Sequence, residues 1–92
     1  MKKDITEERY QATLKEIGDA VRRYRNEKRI GYIDAAKEIG IEKKTLYAME
    51  RGELNFQIKT LFKVLDYFSI SFLDFINTIN KSVSKPNKTS GE

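Results

Sequence analysis

The sequence contains no cysteine, no histidine and only one proline. Thiols and imidazoles supply most protein nucleophiles, general bases and zinc or copper ligands, and none is present. Fourteen acidic residues remain, but they are scattered along the chain without an apparent paired site. We therefore expect no enzymatic activity, no metal site and no cofactor.

Long apolar runs are also missing. No stretch approaches the roughly 18 apolar residues that a membrane-spanning helix requires. The first residues, Met1-Lys2-Lys3-Asp4, lead into a charged segment and not into the apolar core of a signal peptide. We expect a soluble, cytoplasmic protein without membrane contact.

The charge of the chain is unevenly distributed. The net charge of +4 arises between residues 22 and 51, where nine basic residues accompany five acidic ones, while the rest of the chain holds nine of each sign. A neutral frame around one basic segment is typical of a protein that binds a polyanion. Chance clustering of charges is the alternative.

A chain of 92 residues allows one domain, and 35% charged residues with few helix breakers favour an all-α fold. The first predicted helix covers residues 6–27. Its apolar residues recur at spacings of four and three, which places them on one stripe that faces the core. They are Tyr10, Leu14, Ile17, Val21 and Tyr24.

Two short helices follow. Gly31 and Gly40 bracket a second helix over residues 32–39, because glycine readily adopts the left-handed conformation that ends a helix. A third helix is predicted over residues 42–51, with Leu46 and Met49 facing inward.

The remaining apolar spacing predicts a fourth helix from Ile58 to Phe68 and a fifth over residues 71–80, which Ser71 caps with Asp74 three residues later. Residues 81–92 lack a period and are predicted to form a disordered tail. The domain thus covers residues 1–80.

The segment from Ile30 to Gly52 carries a resemblance to a known family. It has a small residue at Ala36, a turn at Gly40-Ile41, Thr45-Leu46, and Glu50 two residues before Gly52. In this pattern the chain resembles the phage-repressor, or Cro/XRE-like, helix-turn-helix family, from about residue 17 to residue 76. The resemblance implies a five-helix domain with a long first helix, and a regulator that binds specific sequences in double-stranded DNA.

The family also implies roles for individual residues. The third helix would lie in the major groove. The residues implied to contact bases are Lys43, Lys44, Tyr47 and Ala48. Those implied to contact the DNA backbone are Tyr32, Arg25, Lys28, Arg29, Arg51, Asn55 and Lys59. Arg25 and Glu50 occupy positions that form an ion pair between the first and third helices. Ordinary solvated lysines are the alternative for Lys43 and Lys44.

Three positions depart from the family pattern. Tyr32 stands where a glutamine is usual, and Gly31 and Glu42 stand where Ser or Thr usually caps a helix. Tyrosine can still donate a hydrogen bond to a phosphate, whereas a carboxylate near DNA is a poorer cap than a hydroxyl.

The fifth helix suggests self-association. Its apolar set is too wide for one side of a short terminal helix, so part of it should face outward. We expect a homodimer on an inverted-repeat operator, with the interface at Phe72, Phe75, Ile76 and Ile79. The alternative is a monomer in which this helix packs entirely onto helices one and four.

Other functions remain open at this stage. Residues 55–65 also resemble controller proteins of restriction-modification systems and some antitoxins, which bind a partner toxin and repress their own operon. A carboxylate-based hydrolase is the enzymatic alternative. A toxin gene beside the gene for this chain would favour the antitoxin, and a restriction gene would favour the controller protein.

Overall fold

The computed structural model describes residues 5–53 and 56–84, with side chains as far as Ile79. This part of the chain contains five helices and no strand, which confirms the expected all-α class. The helices are α1 (Ile5–Lys28), α2 (Tyr32–Ile39), α3 (Lys43–Glu50), α4 (Ile58–Tyr67) and α5 (Phe72–Ser84). None of these helices is both long enough and apolar enough to cross a bilayer.

Helix α1 buries the middle of its apolar stripe. Leu14 and Val21 are buried, and Tyr24 packs against the core. Residues 5–13 are all exposed, so Tyr10 lies outside the core to which the spacing had assigned it. The helix ends at Lys28, because Arg29 adopts a left-handed conformation with φ 59° and its N–H donates to the carbonyl of Asn26.

The turn between α2 and α3 has the predicted glycine geometry. Gly40 has φ 92°, and both its N–H and that of Ile41 donate to the carbonyl of Ala36. Ala35 and Ala36 are fully buried where α2 packs against α3. A larger side chain at Ala36 would therefore disturb the packing of α2 on the core.

Helix α3 is one residue shorter at each end than predicted. Glu42 is its N-cap and Arg51 its C-cap. The Glu42 side chain makes no capping hydrogen bond, and only its carbonyl serves the first turn, by accepting from Thr45 and Leu46. The sequence had already indicated that glutamate caps poorly.

Helices α1 and α3 approach each other closely at Gly18. A Cβ atom at this position would lie 2.6 Å from the Glu50 carbonyl oxygen and closer still to that of Met49. Both neighbours are backbone atoms, which cannot move aside as a flexible side chain can. The sequence does not indicate this contact, because a glycine within a helix carries no signal of what packs against it.

The core lies between the helices and centres on Phe75. Helix α1 packs against α3 and α5, α2 packs against α3 and α4, and α4 packs against α5. The Phe75 side chain is fully buried, and its ring lies 6.2 Å from that of Tyr24. The other large buried side chains are Leu46, Met49, Leu61, Leu65, Val21 and Val64.

Helix α5 begins at Phe72, one residue after the predicted start, and ends four residues later than predicted. The backbone N–H of Asp74 donates to Ser71 Oγ at 3.0 Å, which caps the first turn. The helix then continues to Ser84, so residues 81–84, expected to begin a disordered tail, are helical. Residues 85–92 of that tail lie outside the described residues.

The expected dimer surface on α5 needs correction. Phe75 and Ile79 are buried in the core of the chain itself, so they offer no surface to a partner. Their neighbours Phe72 and Leu73 are exposed, and Ile76 is partly buried. The spacing had shown that the apolar set was too wide for one side, but not which members faced inward.

The close contact at Gly18 generates a stability prediction. We expect Gly18→Ala to lower the free energy of unfolding by about 1–3 kcal/mol, because the added methyl group pushes α1 away from α3. Urea denaturation measures the change. Gly31→Ala is the matched control, since Gly31 has φ −70° and a Cβ there meets nothing within 4 Å. Equal stability of both variants would contradict the contact.

Candidate nucleic-acid interface

One face of α3 is largely exposed. Successive helical residues are about 100° apart, so Leu46 and Met49 lie on the side opposite to the predicted base-contacting residues. Leu46 and Met49 are fully buried. The four residues that the structure brings together on the outer face are Lys43, Lys44, Tyr47 and Ala48. The lysines and Tyr47 are exposed, whereas Ala48 is partly buried.

The lysines lie in an unfavourable place for an isolated helix. Lys43 and Lys44 form the first turn of α3, which contains no acidic residue. The helix N-terminus carries the positive end of the helix dipole, so a cation there costs roughly 0.3–1 kcal/mol. A polyanion beside this turn would remove that cost and use the exposed positive charge.

An aromatic cluster joins the start of α2 to the outer face of α3. The rings of Tyr32 and Tyr47 lie 5.2 Å apart between centroids. The Arg51 guanidinium lies 5.4 Å above the Tyr47 ring, and its Nη1 donates to Tyr47 Oη at 3.4 Å. Arg51 Nε donates to Glu53 at 2.9 Å, and this hydrogen bond is the main cause that raises the pKa of Arg51. The side chains of this cluster restrict one another.

A buried ion pair fixes α3 against α1. Arg25 Nε and Nη2 donate to the two carboxylate oxygens of Glu50, at 2.6 and 2.8 Å. A third bond runs from Arg25 Nη1 to the carbonyl of Ile30, just before α2. Glu50 is only 4% exposed, and its hydrogen bond raises the pKa of Arg25. The pair therefore links α1, α3 and the start of α2.

This arrangement changes the expected role of Arg25 as a phosphate contact. Its side chain is 14% exposed, and its Nε and both terminal nitrogens donate to groups of the chain itself. Arg22, one turn earlier, is 46% exposed and donates to the Glu50 carbonyl at 3.3 Å. Of these two arginines, Arg22 is therefore the more accessible to a partner, a difference that the sequence does not indicate.

Lys28 also lies elsewhere than expected. Its Nζ lies 5.2 Å from the centroid of the Tyr67 ring, and Tyr67 Oη donates to Glu38 at 2.5 Å. That hydrogen bond raises the pKa of Tyr67. Glu38 and Tyr67 lie at the C-terminal ends of α2 and α4, whereas the predicted contacts Tyr32 and Lys59 lie at their N-terminal ends. The structure therefore places the Lys28 ammonium beside Tyr67, at the C-terminal end of α4.

Of the other backbone candidates, Arg29, Arg51 and Lys59 are exposed, and Tyr32 is partly buried. Arg29 lies in the turn before α2, Lys59 in the first turn of α4, and Arg51 at the end of α3. Asn55 lies outside the described residues. Within residues 5–53 and 56–84, no group of three or more acidic side chains is arranged to hold a metal ion.

The buried ion pair can be tested by its stability effect. We expect Arg25→Met to lower the free energy of unfolding by about 3 kcal/mol, because it leaves the Glu50 carboxylate buried without its main partner. Adding Glu50→Met to this variant should recover part of the loss. Urea denaturation of the wild type, the two single variants and the double variant measures the coupling. Glu53→Gln, which breaks an exposed pair, is the control and should change stability little. Strictly additive effects of the two core substitutions would contradict the coupling.

Comparisons with known proteins agree with this geometry. A family model described as helix-turn-helix matches residues 21–75. No curated protein matches the chain. Two mutants of the restriction-modification controller protein C.Esp1396I have folds similar to that of this chain, at 21% sequence identity. Their structures give TM-scores of 0.70 and 0.72, covering 77% and 82% of this chain and 95% of theirs. Because the family model spans more than half of the sequence, the chain belongs to the Cro/XRE-like helix-turn-helix family of DNA-binding transcriptional regulators.

Proposed function

We propose that the chain acts as a homodimer on an inverted-repeat operator, with the outer face of α3 in the major groove. The observation that carries this proposal is the arrangement of α3, whose inner side is held in the core while Lys43, Lys44 and Tyr47 project from the other. A helix presented in this way fits the width of the major groove. The protein would act in the cytoplasm by binding and without catalysis.

The contacts divide by position. Lys43, Lys44 and Tyr47, with the smaller Ala48, would meet base edges, which carry the sequence information. The residues around this face would hold phosphates and set the register of the protein on DNA. They are Arg22, Arg29, Tyr32, Arg51 and Lys59, with Asn55 retained from the sequence pattern.

Three lysine variants test this division. We expect Lys44→Ala to cost about 1–3 kcal/mol at particular base pairs, because its ammonium would contact base edges. Lys59→Ala should weaken binding to all sequences alike and make the salt dependence shallower by about 0.9 in log K against log salt.

Lys28→Ala removes the same charge beside Tyr67 and is the matched control, expected to leave both properties nearly unchanged. Binding is measured on a library of single-base variants of a selected operator at two salt concentrations. Identical sequence profiles for Lys44→Ala and Lys59→Ala would overturn the placement of α3.

The dimer surface would be the exposed apolar side of α4 and α5. Phe62 and Phe72 are exposed, and their rings lie 5.1 Å apart. Leu73, the residue after Phe72, is 69% exposed. Burial of apolar area contributes about 25 cal/mol per Å², so covering this surface with a second copy would favour association. A two-fold dimer would place two α3 helices about 34–36 Å apart, one turn of DNA.

Charged substitutions on this surface test the dimer. We expect Leu73→Glu to shift sedimentation equilibrium at tens of micromolar from dimer to monomer and to weaken binding to an inverted repeat, because one charge would be desolvated in each subunit. Ile33→Glu, on an equally apolar exposed position of α2, is the control and should remain dimeric. A monomeric wild type, or a dimeric Leu73→Glu protein, would contradict this interface.

A second candidate is a more specific role, the control of a restriction-modification system. The likeness to C.Esp1396I favours this role, since the structural alignment with this chain covers 95% of that protein. The test is the neighbourhood of the gene for this chain. A restriction endonuclease gene there supports this role, whereas a toxin gene supports an antitoxin that binds a partner protein.

A further inference from the structure

The hydroxyl group of Tyr47 keeps its proton for a further hydrogen bond. A guanidinium can donate hydrogen bonds but cannot accept them, so the contact between Arg51 Nη1 and Tyr47 Oη uses the oxygen as an acceptor. The proton of that hydroxyl therefore remains available to donate. Tyr47 is 45% exposed on the outer face of α3, where a partner can reach this group.

The orientation of the Tyr47 ring is also restricted before any partner arrives. Its neighbours are the Tyr32 ring at 5.2 Å and the Arg51 guanidinium at 5.4 Å. Arg51 is in turn held by Glu53 at 2.9 Å. Immobilising a side chain on binding costs about 0.5–1.5 kcal/mol, and contacts already present in the free protein reduce that cost.

The side chains of Lys43, Lys44 and Tyr47 on the exposed face of α3 can all donate hydrogen bonds. The ammonium groups of Lys43 and Lys44 only donate, and Tyr47 is left with a proton to donate. In the major groove, acceptors are presented by purine N7, guanine O6 and thymine O4, while cytosine presents an amino donor.

We propose that Tyr47 selects one base pair of each half-site by donating its hydroxyl proton to a major-groove acceptor, and that Tyr32 and Arg51 are positioning residues for this contact. The inference rests on the proposed function. It gives Tyr32, which replaces the glutamine usual in the family, a role through Tyr47 in addition to any phosphate contact of its own.

The first test removes the hydroxyl group alone. Tyr47→Phe keeps the ring and its neighbours, so we expect roughly a 3- to 10-fold loss of preference at one base pair per half-site, the effect of one hydrogen bond. The preferences at other positions should persist. Tyr67→Phe is the matched control, since it removes a hydroxyl bonded to Glu38 and should leave the whole profile unchanged. Binding is measured on all single-base variants of a selected operator.

The second test concerns positioning. Tyr32→Phe retains the ring, so it should keep the preference at that base pair, even where overall affinity falls. Tyr32→Ala should weaken the preference at the same base pair and at no other. Circular dichroism and urea denaturation confirm that the variants are folded, and Arg51→Lys, which keeps the charge but not the planar group, should behave like Tyr32→Ala.

The outcomes separate this inference from the function on which it rests. A wild type without any sequence preference would overturn both. A wild type with a clear preference that Tyr47→Phe leaves intact would overturn the Tyr47 contact alone. Loss at one position in Tyr47→Phe, with an unchanged profile in Tyr32→Ala and Arg51→Lys, would overturn only the positioning roles.

Discussion

The two hydrogen bonds between Arg25 and Glu50 are the constraint on which the rest of the molecule depends. They join the last turns of α1 and α3, and a third bond from the same guanidinium reaches Ile30 before α2. A buried ion pair contributes little net stability, because the desolvation of both charges offsets their attraction. Its geometry is nevertheless specific, since both carboxylate oxygens must meet the planar guanidinium. Together with the close approach at Gly18, the pair sets the position of α3 on α1.

The exposure of charged and aromatic side chains on α3 depends on this ion pair. With one side of α3 fixed, the opposite side can only be solvent-exposed, and it carries Lys43, Lys44 and Tyr47. Tyr32 then meets Tyr47 because the turn at Gly40 brings the start of α2 beside the outer face of α3. The same rigid frame supports preorganised donors, which lose less conformational entropy on binding than mobile side chains would.

The buried side of α5 contributes to the core of the chain, and its exposed side belongs to the proposed dimer surface. Phe75 and Ile79 complete the core of the single chain, while Phe72 and Leu73 extend the apolar surface that begins at Phe62. An exposed surface of this kind is unfavourable in water, and its burial in a two-fold assembly would set the separation of the two α3 helices. Folding and assembly would therefore share one helix without sharing the same side chains.

The sequence by itself determined the helices, their order, the glycine turn at Gly40 and the outer face of α3. These features depend on local spacing and on the backbone preferences of a few residue types, which the linear pattern contains. The tertiary structure alone decided which of Arg22 and Arg25 turns inward, that Lys28 meets Tyr67, and that Phe75 belongs to the core. These outcomes depend on groups brought together from distant parts of the chain. Periodicity fixes the face of a helix, but the packed neighbours decide which residues at the edge of that face are buried.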